Sequence, residues 1–198
     1  KLKHTYLDNL NIKYVMGGLL PGWKDFNRGG ITKPEDVAGH WQDVSKESGM
    51  PINGNIWLEN PLHSSYPPSV AFKAASFQDN DKALFFLRRL NEMVFMENKN
   101  IANTKTIKIA AAQAGLNTHR LFNDMKHRAY QSFKDDILYT KSLGISFLPT
   151  FLFKVDGADK EFLLGNQSFE TFEKTILKYA PYTPKSPPII TTVDIFNK

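Results

Sequence analysis

The residues best suited to chemistry in this sequence surround Pro149. Pro149 stands directly before an apolar, β-type run, Thr150 to Phe153, that is typical of a buried strand. Proline donates no backbone hydrogen bond, so it is tolerated at the first residue of a strand or at a bulge. We therefore predict a tight turn at Leu148-Pro149. A cis peptide bond is accessible before proline and turns the chain sharply, which leaves backbone groups free to pair with an extended peptide.

Other kinds of reactive site find little support. The 198 residues contain no cysteine, so they supply no disulfide, thiolate metal site or catalytic thiol. The five histidines include no His-x-x-x-His pair, and phosphate-binding and nucleophile-elbow motifs are absent. We therefore predict no metal site and no cofactor. His63 has no partner at i+4 and is interpreted as a surface residue, and the adjacent Asp135 and Asp136 are interpreted as a solvated helix face.

Composition indicates a soluble globular protein. Hydrophobic residues make up 41% and charged residues 23% of the chain. No apolar run approaches the roughly 20 residues that span a membrane. The net charge of +5 comes from scattered Lys and Arg, which argues against a nucleic-acid partner. Lys1 to Tyr6 lacks the apolar core of a secretory signal, so we expect a cytoplasmic protein without membrane contacts.

Helical and extended patterns flank the proline. Apolar residues of Lys1 to Leu10 share one helical face and predict the last turns of a helix. Asn11 to Met16 alternates and predicts a strand, and helical periodicity predicts an all-helical block from about Pro67 to Leu143. The remaining predicted elements are an antiparallel hairpin and a final helix: Thr150 to Val155, Lys160 to Leu164, and a helix capped by Ser168.

Three short motifs resemble the DsbA-like family of thioredoxin-fold proteins. Ile145 to Phe153 resembles the family's cis-proline loop and following strand, and Gly165 to Ser168 resembles its Gly-x-Gln-Ser ending. Gly17 to Gly22 resembles the Gly-Gly-Leu-x-Pro-Gly segment after its second strand. The resemblance covers about Lys1 to Tyr179. It implies an α/β, thioredoxin-like fold with a large all-helical insertion.

The resemblance also implies a domain organisation. Residues 1–32 and 144–180 are expected to form the thioredoxin-like domain, whose first strand and start of the first helix are expected to lie before Lys1. Residues 33–143 are expected to form the helical insertion with its lead-in. Residues 181–198 are expected to be a Pro-rich linker and a β-prone tail, which is a candidate for homodimer formation.

The function implied by the resemblance is thiol-disulfide exchange. An oxidoreductase or isomerase of this family acts on protein or peptide thiols, with a Cys-x-x-Cys expected upstream of Lys1 and Pro149 opposite it as the catalytic cis-proline. A cysteine at a helix N-terminus has a lowered pKa, which makes it a good leaving group. The residues expected to line the substrate cleft are Gly17, Gly18, Ser64, Ser65, Phe147, Leu148 and Thr150.

Two alternatives keep the fold and change the function. Glutathione-dependent isomerases and transferases of the kappa type look similar and use a serine at the equivalent site, which the absence of cysteine favours. The ending Gly165 to Ser168 resembles the oxidoreductases more closely. The other alternative is a non-catalytic peptide-binding or adaptor module, in which the proline loop holds a peptide without any thiol. This alternative leads if the protein begins at Lys1.

Overall fold

The structure, a computed structural model, describes residues 2–6, 10–24 and 26–179. Within these ranges the helices are α1 Leu2–Tyr6, α2 Pro34–Ser48, α3 Ile56–Glu59, α4 Tyr66–Ser76, α5 Asn80–Phe95, α6 Thr104–Gln113, α7 Thr118–Lys126, α8 Arg128–Ser142 and α9 Phe169–Tyr179. The strands are β1 Thr150–Val155 and β2 Ala158–Leu164. The chain divides into two compact units. The strand unit consists of the described residues of Lys1–Val15 and Gly144–Lys198, and the helical unit is Met16–Leu143.

The helical unit is organised around α4, which packs against α5, α7 and α8. Ala71, Ala74 and Ala75 of α4 are completely buried, and their small side chains allow the neighbouring helices to approach closely. Larger apolar side chains fill the space around them, and each stabilises the fold by about 1.5–3 kcal/mol through its removal from water. Those with almost no exposed surface are Ile56, Phe86, Leu90, Met93, Ile107, Leu121 and Phe133. The predicted all-helical block is confirmed.

The strand unit contains the predicted hairpin. β1 and β2 pair antiparallel through a turn at Asp156 and Gly157, whose φ angles are 51° and 78°. Positive φ at both central residues is typical of a type I′ turn, whose twist matches that of the flanking strands. The rings of Phe151 and Phe153 pack on Phe172 of α9, with centroids 4.7 and 6.4 Å away. One face of the hairpin is therefore covered by α9.

The strand predicted at Asn11 to Met16 is wrong. Residues 11–20 have no regular secondary structure. An alternating apolar pattern forms a strand only when a neighbouring strand supplies backbone partners, because the pattern reflects packing more than an intrinsic backbone preference. The Met16 N–H donates instead to the carboxylate of Asp136, at 2.9 Å. The helix predicted within Lys1 to Leu10 is observed over Leu2–Tyr6.

In the segment that follows, Leu20 belongs to the helical core, and Met16, Trp23 and Phe26 pack against it. Trp23 also donates from Nε1 to the carbonyl oxygen of Leu62 at 2.8 Å. The predicted domain limits, which place this segment in the thioredoxin-like domain, stay predictions. The tail at 181–198 and its role in homodimer formation lie outside the described residues. None of the helices in the described ranges combines the length and the apolar character that crossing a membrane requires.

Candidate functional site

The loop at Pro149 is held at both of its ends within the strand unit. The Leu148–Pro149 peptide bond is cis. The hydroxyl of Thr150 donates to the carbonyl oxygen of Phe147 at 2.6 Å. On the other side, the Gly165 N–H donates to the carbonyl oxygen of Pro149 at 2.8 Å. These two hydrogen bonds fix the loop to the start of β1 and to the end of β2.

Apolar side chains beside this loop are open to solvent. Phe147 is 58% exposed and Leu164 is 60% exposed. The Phe147 ring lies next to Gly165, since a Cβ built on that glycine would be 3.4 Å from the ring. Leu164 pairs with Thr150, and Phe162 shares its face of the hairpin, because alternate residues of a strand point to the same side. We refer to Phe147, Phe162 and Leu164 as the apolar surface.

The backbone of Leu148 is also available. Across the described part of the chain, neither its N–H nor its carbonyl oxygen has a hydrogen-bond partner. The loop therefore combines one free donor and one free acceptor with exposed apolar side chains. An extended peptide satisfies both kinds of group, because its backbone supplies hydrogen bonds and its alternate side chains supply apolar contacts.

Ser64 and Ser65 lie in the helical unit, where their hydroxyls form hydrogen bonds with the backbone of Leu20. The hydroxyls of Ser64 and Ser65 donate to the carbonyl oxygen of Leu20 at 3.0 and 3.2 Å. The Leu20 N–H donates back to the Ser65 hydroxyl at 3.0 Å, and the Ser65 N–H donates to the Leu20 carbonyl at 2.8 Å. Ser64 is buried. The two serines thus hold Leu20 in place, and with it the segment that contains Gly17 and Gly18.

Gly18 lies against the helices of the same unit. Its φ of 62° is in the left-handed region, and a Cβ at this position would lie 2.3 Å from Cδ1 of Ile137 and 3.4 Å from Cε1 of Tyr66. Gly17 is half-buried beside it. The four predicted residues of the helical unit are therefore brought together, as are Phe147, Leu148, Pro149 and Thr150 in the strand unit. Their common role in binding stays a prediction.

Sequence reasoning missed a buried ion pair. Asp136 was predicted to lie on a solvated face, but it is buried and accepts hydrogen bonds from Lys73 Nζ and the Met16 N–H. The neighbouring Asp135 is exposed, as predicted. The signal for burial was present, because Asp136 shares a helical stripe with buried residues of α8 at spacings of three and four. The other members of this stripe are Ala129, Phe133 and Thr140.

The described residues contain no cluster of three or more His, Asp or Glu side chains that could hold a metal ion. His63 is exposed, which confirms its interpretation as a surface residue. The groups near Pro149 are backbone amides, the hydroxyls of Ser146 and Thr150, and apolar side chains. Backbone amides and apolar side chains are groups that recognise an extended peptide.

Curated relatives of this chain are named as ClpXP adapter proteins. The ClpXP adapter protein SpxH of Halalkalibacterium halodurans is 33% identical over 165 residues, which are 81% of this chain and 54% of that protein. The ClpXP adapter protein SpxH of Bacillus subtilis is 27% identical over 169 residues, which are 81% of this chain and 56% of that protein. The chain thus spans about half the length of the curated relatives it matches.

Solved structures and a family profile agree on the fold. The cytosolic disulfide reductase DsbM of Pseudomonas aeruginosa superposes with a TM-score of 0.70 at 21% identity, over 90% of each chain. This likeness confirms the predicted thioredoxin-like, DsbA-like fold with its helix-rich composition and small sheet. A family profile described as Thioredoxin matches residues 1–174. Because that match includes most of the sequence, the chain belongs to the thioredoxin family.

Proposed function

We propose that this chain is the peptide-binding part of a thioredoxin-fold adaptor, a non-catalytic protein that holds a segment of a partner protein. The observation that carries the proposal is the exposed pair Phe147 and Leu164 beside the fixed loop at Pro149. Neighbouring exposed apolar side chains of this size favour a protein-binding role. The relatives' name, ClpXP adapter protein, supports the same role and suggests that the chain connects a partner protein to ClpXP.

The proposed binding mode uses the loop as a rigid platform. An extended peptide pairs its backbone with the free N–H and carbonyl oxygen of Leu148 and places apolar side chains on Phe147 and Leu164. The hydrogen bond from Thr150 to the Phe147 carbonyl holds the platform before the peptide arrives. Such preorganisation strengthens binding, because less conformational entropy is lost on association.

None of these residues supplies the thiol that the predicted disulfide exchange requires. Thiol-disulfide exchange requires cysteines, and the 198 residues contain none, so the oxidoreductase and its protein-thiol substrates stay predictions. The kappa-type glutathione enzyme also stays a prediction, because the serine that it uses is expected at the position of the Cys-x-x-Cys, which lies outside the 198 residues. The adaptor requires only the apolar and backbone groups that the structure presents.

Peptide binding tests the proposal directly. The probe is a short, uncharged, fluorescein-labelled peptide in which Leu and Phe alternate with Ser, and the measurement is its fluorescence anisotropy during titration with the chain. We expect saturable binding to the unmodified chain. The double variant F147S/L164S removes both apolar contacts and should weaken binding about tenfold or more, because exposed apolar anchors contribute more than 1 kcal/mol to such interfaces.

A matched variant controls for general loss of apolar surface. Phe85 and Leu138 of the helical unit are exposed to similar extents, 53% and 63%. F85S/L138S should leave peptide affinity within about twofold of the original. Equal weakening by both double variants, or no binding by the unmodified chain, would contradict the proposal. Reduction of insulin disulfides by the purified 198-residue chain would also contradict it.

A further inference from the structure

We propose that a cleft between α6 and α7 in the helical unit binds an acidic peptide segment of a partner protein. The cleft has a volume of about 420 Å³. Its lining residues include Lys108, Lys126, His119 and Phe122. This surface is confined to one unit, so the inference does not depend on the proposed role of the Pro149 loop.

The shape of the cleft suits an extended segment. Thr118, Phe122 and Lys126 line it at intervals of four residues, so they follow one side of α7 from its first residue to its last. At a rise of about 1.5 Å per residue, this row is roughly 12 Å long. An extended peptide advances about 3.3 Å per residue, so the row accommodates roughly three to four residues.

The charges of the cleft are positive and uncompensated. No carboxylate lines it, and within the described ranges neither Lys108 nor Lys126 has an ion-pair or hydrogen-bond partner. α6 contains no acidic residue. The one acid of α7, Asp124, is buried and is engaged by Arg128 at 2.7 Å. The two ammonium groups are therefore available to carboxylates of another molecule.

The N-termini of α6 and α7 add to this positive field, whereas Lys126 lies at the C-terminal end of α7, where the helix dipole is negative. Thr104 and Thr118, which both line the cleft, are the first residues of α6 and α7. The N-terminus of a helix carries a partial positive charge and free backbone N–H groups, which favour a neighbouring carboxylate. The termini alone would not define a ligand, but here they reinforce two uncompensated lysines around one cleft.

The half-buried ring of Phe122 favours an acidic peptide over other anionic ligands. It lies between the two ends of the row, where it can contact an apolar side chain of the ligand. An acidic segment with an apolar residue uses both the lysines and the ring. A nucleic-acid strand requires a continuous row of cations along its phosphates, and the cleft lining supplies two lysines together with an aromatic residue. The chemistry therefore favours an acidic peptide.

The test is the binding of a defined acidic peptide to the chain. The probe is a short fluorescein-labelled peptide of Asp and Glu with two adjacent central leucines, titrated by fluorescence anisotropy at low salt. We expect saturable binding that weakens as ionic strength rises, because salt screens the attraction. K108E/K126E should weaken binding about tenfold, and the neutral pair K108Q/K126Q should give an intermediate loss.

The matched control is K134E/K141E, which changes the net charge by the same amount on α8 of the same unit, outside the cleft lining. It should leave affinity within about twofold. Circular dichroism of each variant establishes that the helices are intact.

Three results would overturn the proposal: no binding to the unmodified chain, equal loss in both double variants, or tighter binding of a single-stranded oligothymidine than of the acidic peptide. The F147S/L164S variant should bind the acidic peptide normally, which separates this surface from the Pro149 loop.

Discussion

The ammonium group of Lys73 lies 2.9 Å from the carboxylate of Asp136, and both side chains are nearly excluded from solvent, at 13% and 11% exposure. The pair joins α4 to α8 inside the helical unit. The same carboxylate accepts the N–H of Met16 at 2.9 Å, so a buried negative charge is satisfied by a cation and a backbone donor. This arrangement fixes the start of the irregular segment that contains Gly17 and Gly18.

Removal of one partner of this pair should strongly destabilise the helical unit. In D136A, Lys73 keeps its buried charge without a counterion, and Met16 loses its acceptor. Breaking a buried pair in this way costs about 3–5 kcal/mol in the free energy of unfolding. Urea unfolding followed by tryptophan fluorescence measures the change. The fluorescence reports on this unit, because all three tryptophans, Trp23, Trp41 and Trp57, pack together within it.

Two further variants separate the pair from general effects of charge. D135A alters the exposed neighbour and should change the free energy of unfolding by no more than about 0.5 kcal/mol. K73M/D136L replaces both charges by apolar groups and should recover most of the lost stability, because no uncompensated charge remains. A double variant as unstable as D136A would contradict this explanation.

Gly54 should not tolerate any side chain. It is buried, and a Cβ at this position would lie 2.5 Å from the carbonyl oxygen of Ala38 in α2. Because backbone atoms cannot move aside easily, G54A should destabilise the unit by about 1–3 kcal/mol. Urea unfolding provides the measurement.

Gly39 of α2 supplies the control for this substitution. Apart from its two chain neighbours and the backbone of α2 itself, no atom lies within 4 Å of a Cβ built on Gly39. Alanine has a higher helix propensity than glycine by about 1 kcal/mol, so G39A should stabilise the helix. Opposite signs for G39A and G54A are the expected outcome. A neutral G54A would show that α2 and the segment before α3 can separate without loss of stability.

Gly18 should resist substitution for two separable reasons. Its φ of 62° is unfavourable for alanine by about 1 kcal/mol, and a Cβ would lie 2.3 Å from Cδ1 of Ile137. G18A should therefore destabilise the unit by about 1–3 kcal/mol. In an I137V background, which lacks that terminal methyl group, the cost should fall towards the backbone contribution alone. Urea unfolding of the original chain, the two single variants and the double variant measures the coupling, and strict additivity would exclude the contact with Ile137.

Glu97 should make stability depend on pH in the acidic range. Hydrogen bonds from Arg89, and then from Lys99, lower the pKa of Glu97 from 4.5 to about 2. A lowered folded-state pKa means that this stabilisation is fully present above pH 4.5 and is lost as pH falls towards 2. Since the side chain is 32% exposed, solvent screening reduces the contribution to about 1–2 kcal/mol.

E97Q isolates this contribution from those of other carboxylates. Its free energy of unfolding should be lower than that of the original chain by about 1–2 kcal/mol at pH 7, and the difference should vanish near pH 2. Glu47 is an exposed residue of α2, and E47Q should show no such difference. A constant difference for E97Q across the whole range would show that the effect comes from packing rather than from charge.

Local patterns in the sequence determined most of the elements. The first strand of the hairpin is observed at Thr150–Val155, as predicted, because alternation and turn residues are local signals. The predicted cap is also observed, since the Ser168 hydroxyl accepts the N–H of Thr171 at 3.1 Å at the start of α9. Short motifs around Pro149 also predicted the family, because glycine and proline directly limit the backbone conformations that their positions can adopt.

Tertiary structure decided which of these residues are buried and which remain available. Asp136 looked like a surface residue until Lys73, 63 residues away, proved to be its partner. Likewise, the serines at Ser64 and Ser65 resembled a binding loop, but their hydroxyls bond to Leu20. The physical reason is the same in each case. Helix and turn preferences depend on neighbours in sequence, whereas burial and hydrogen-bond partners depend on residues that only folding brings together.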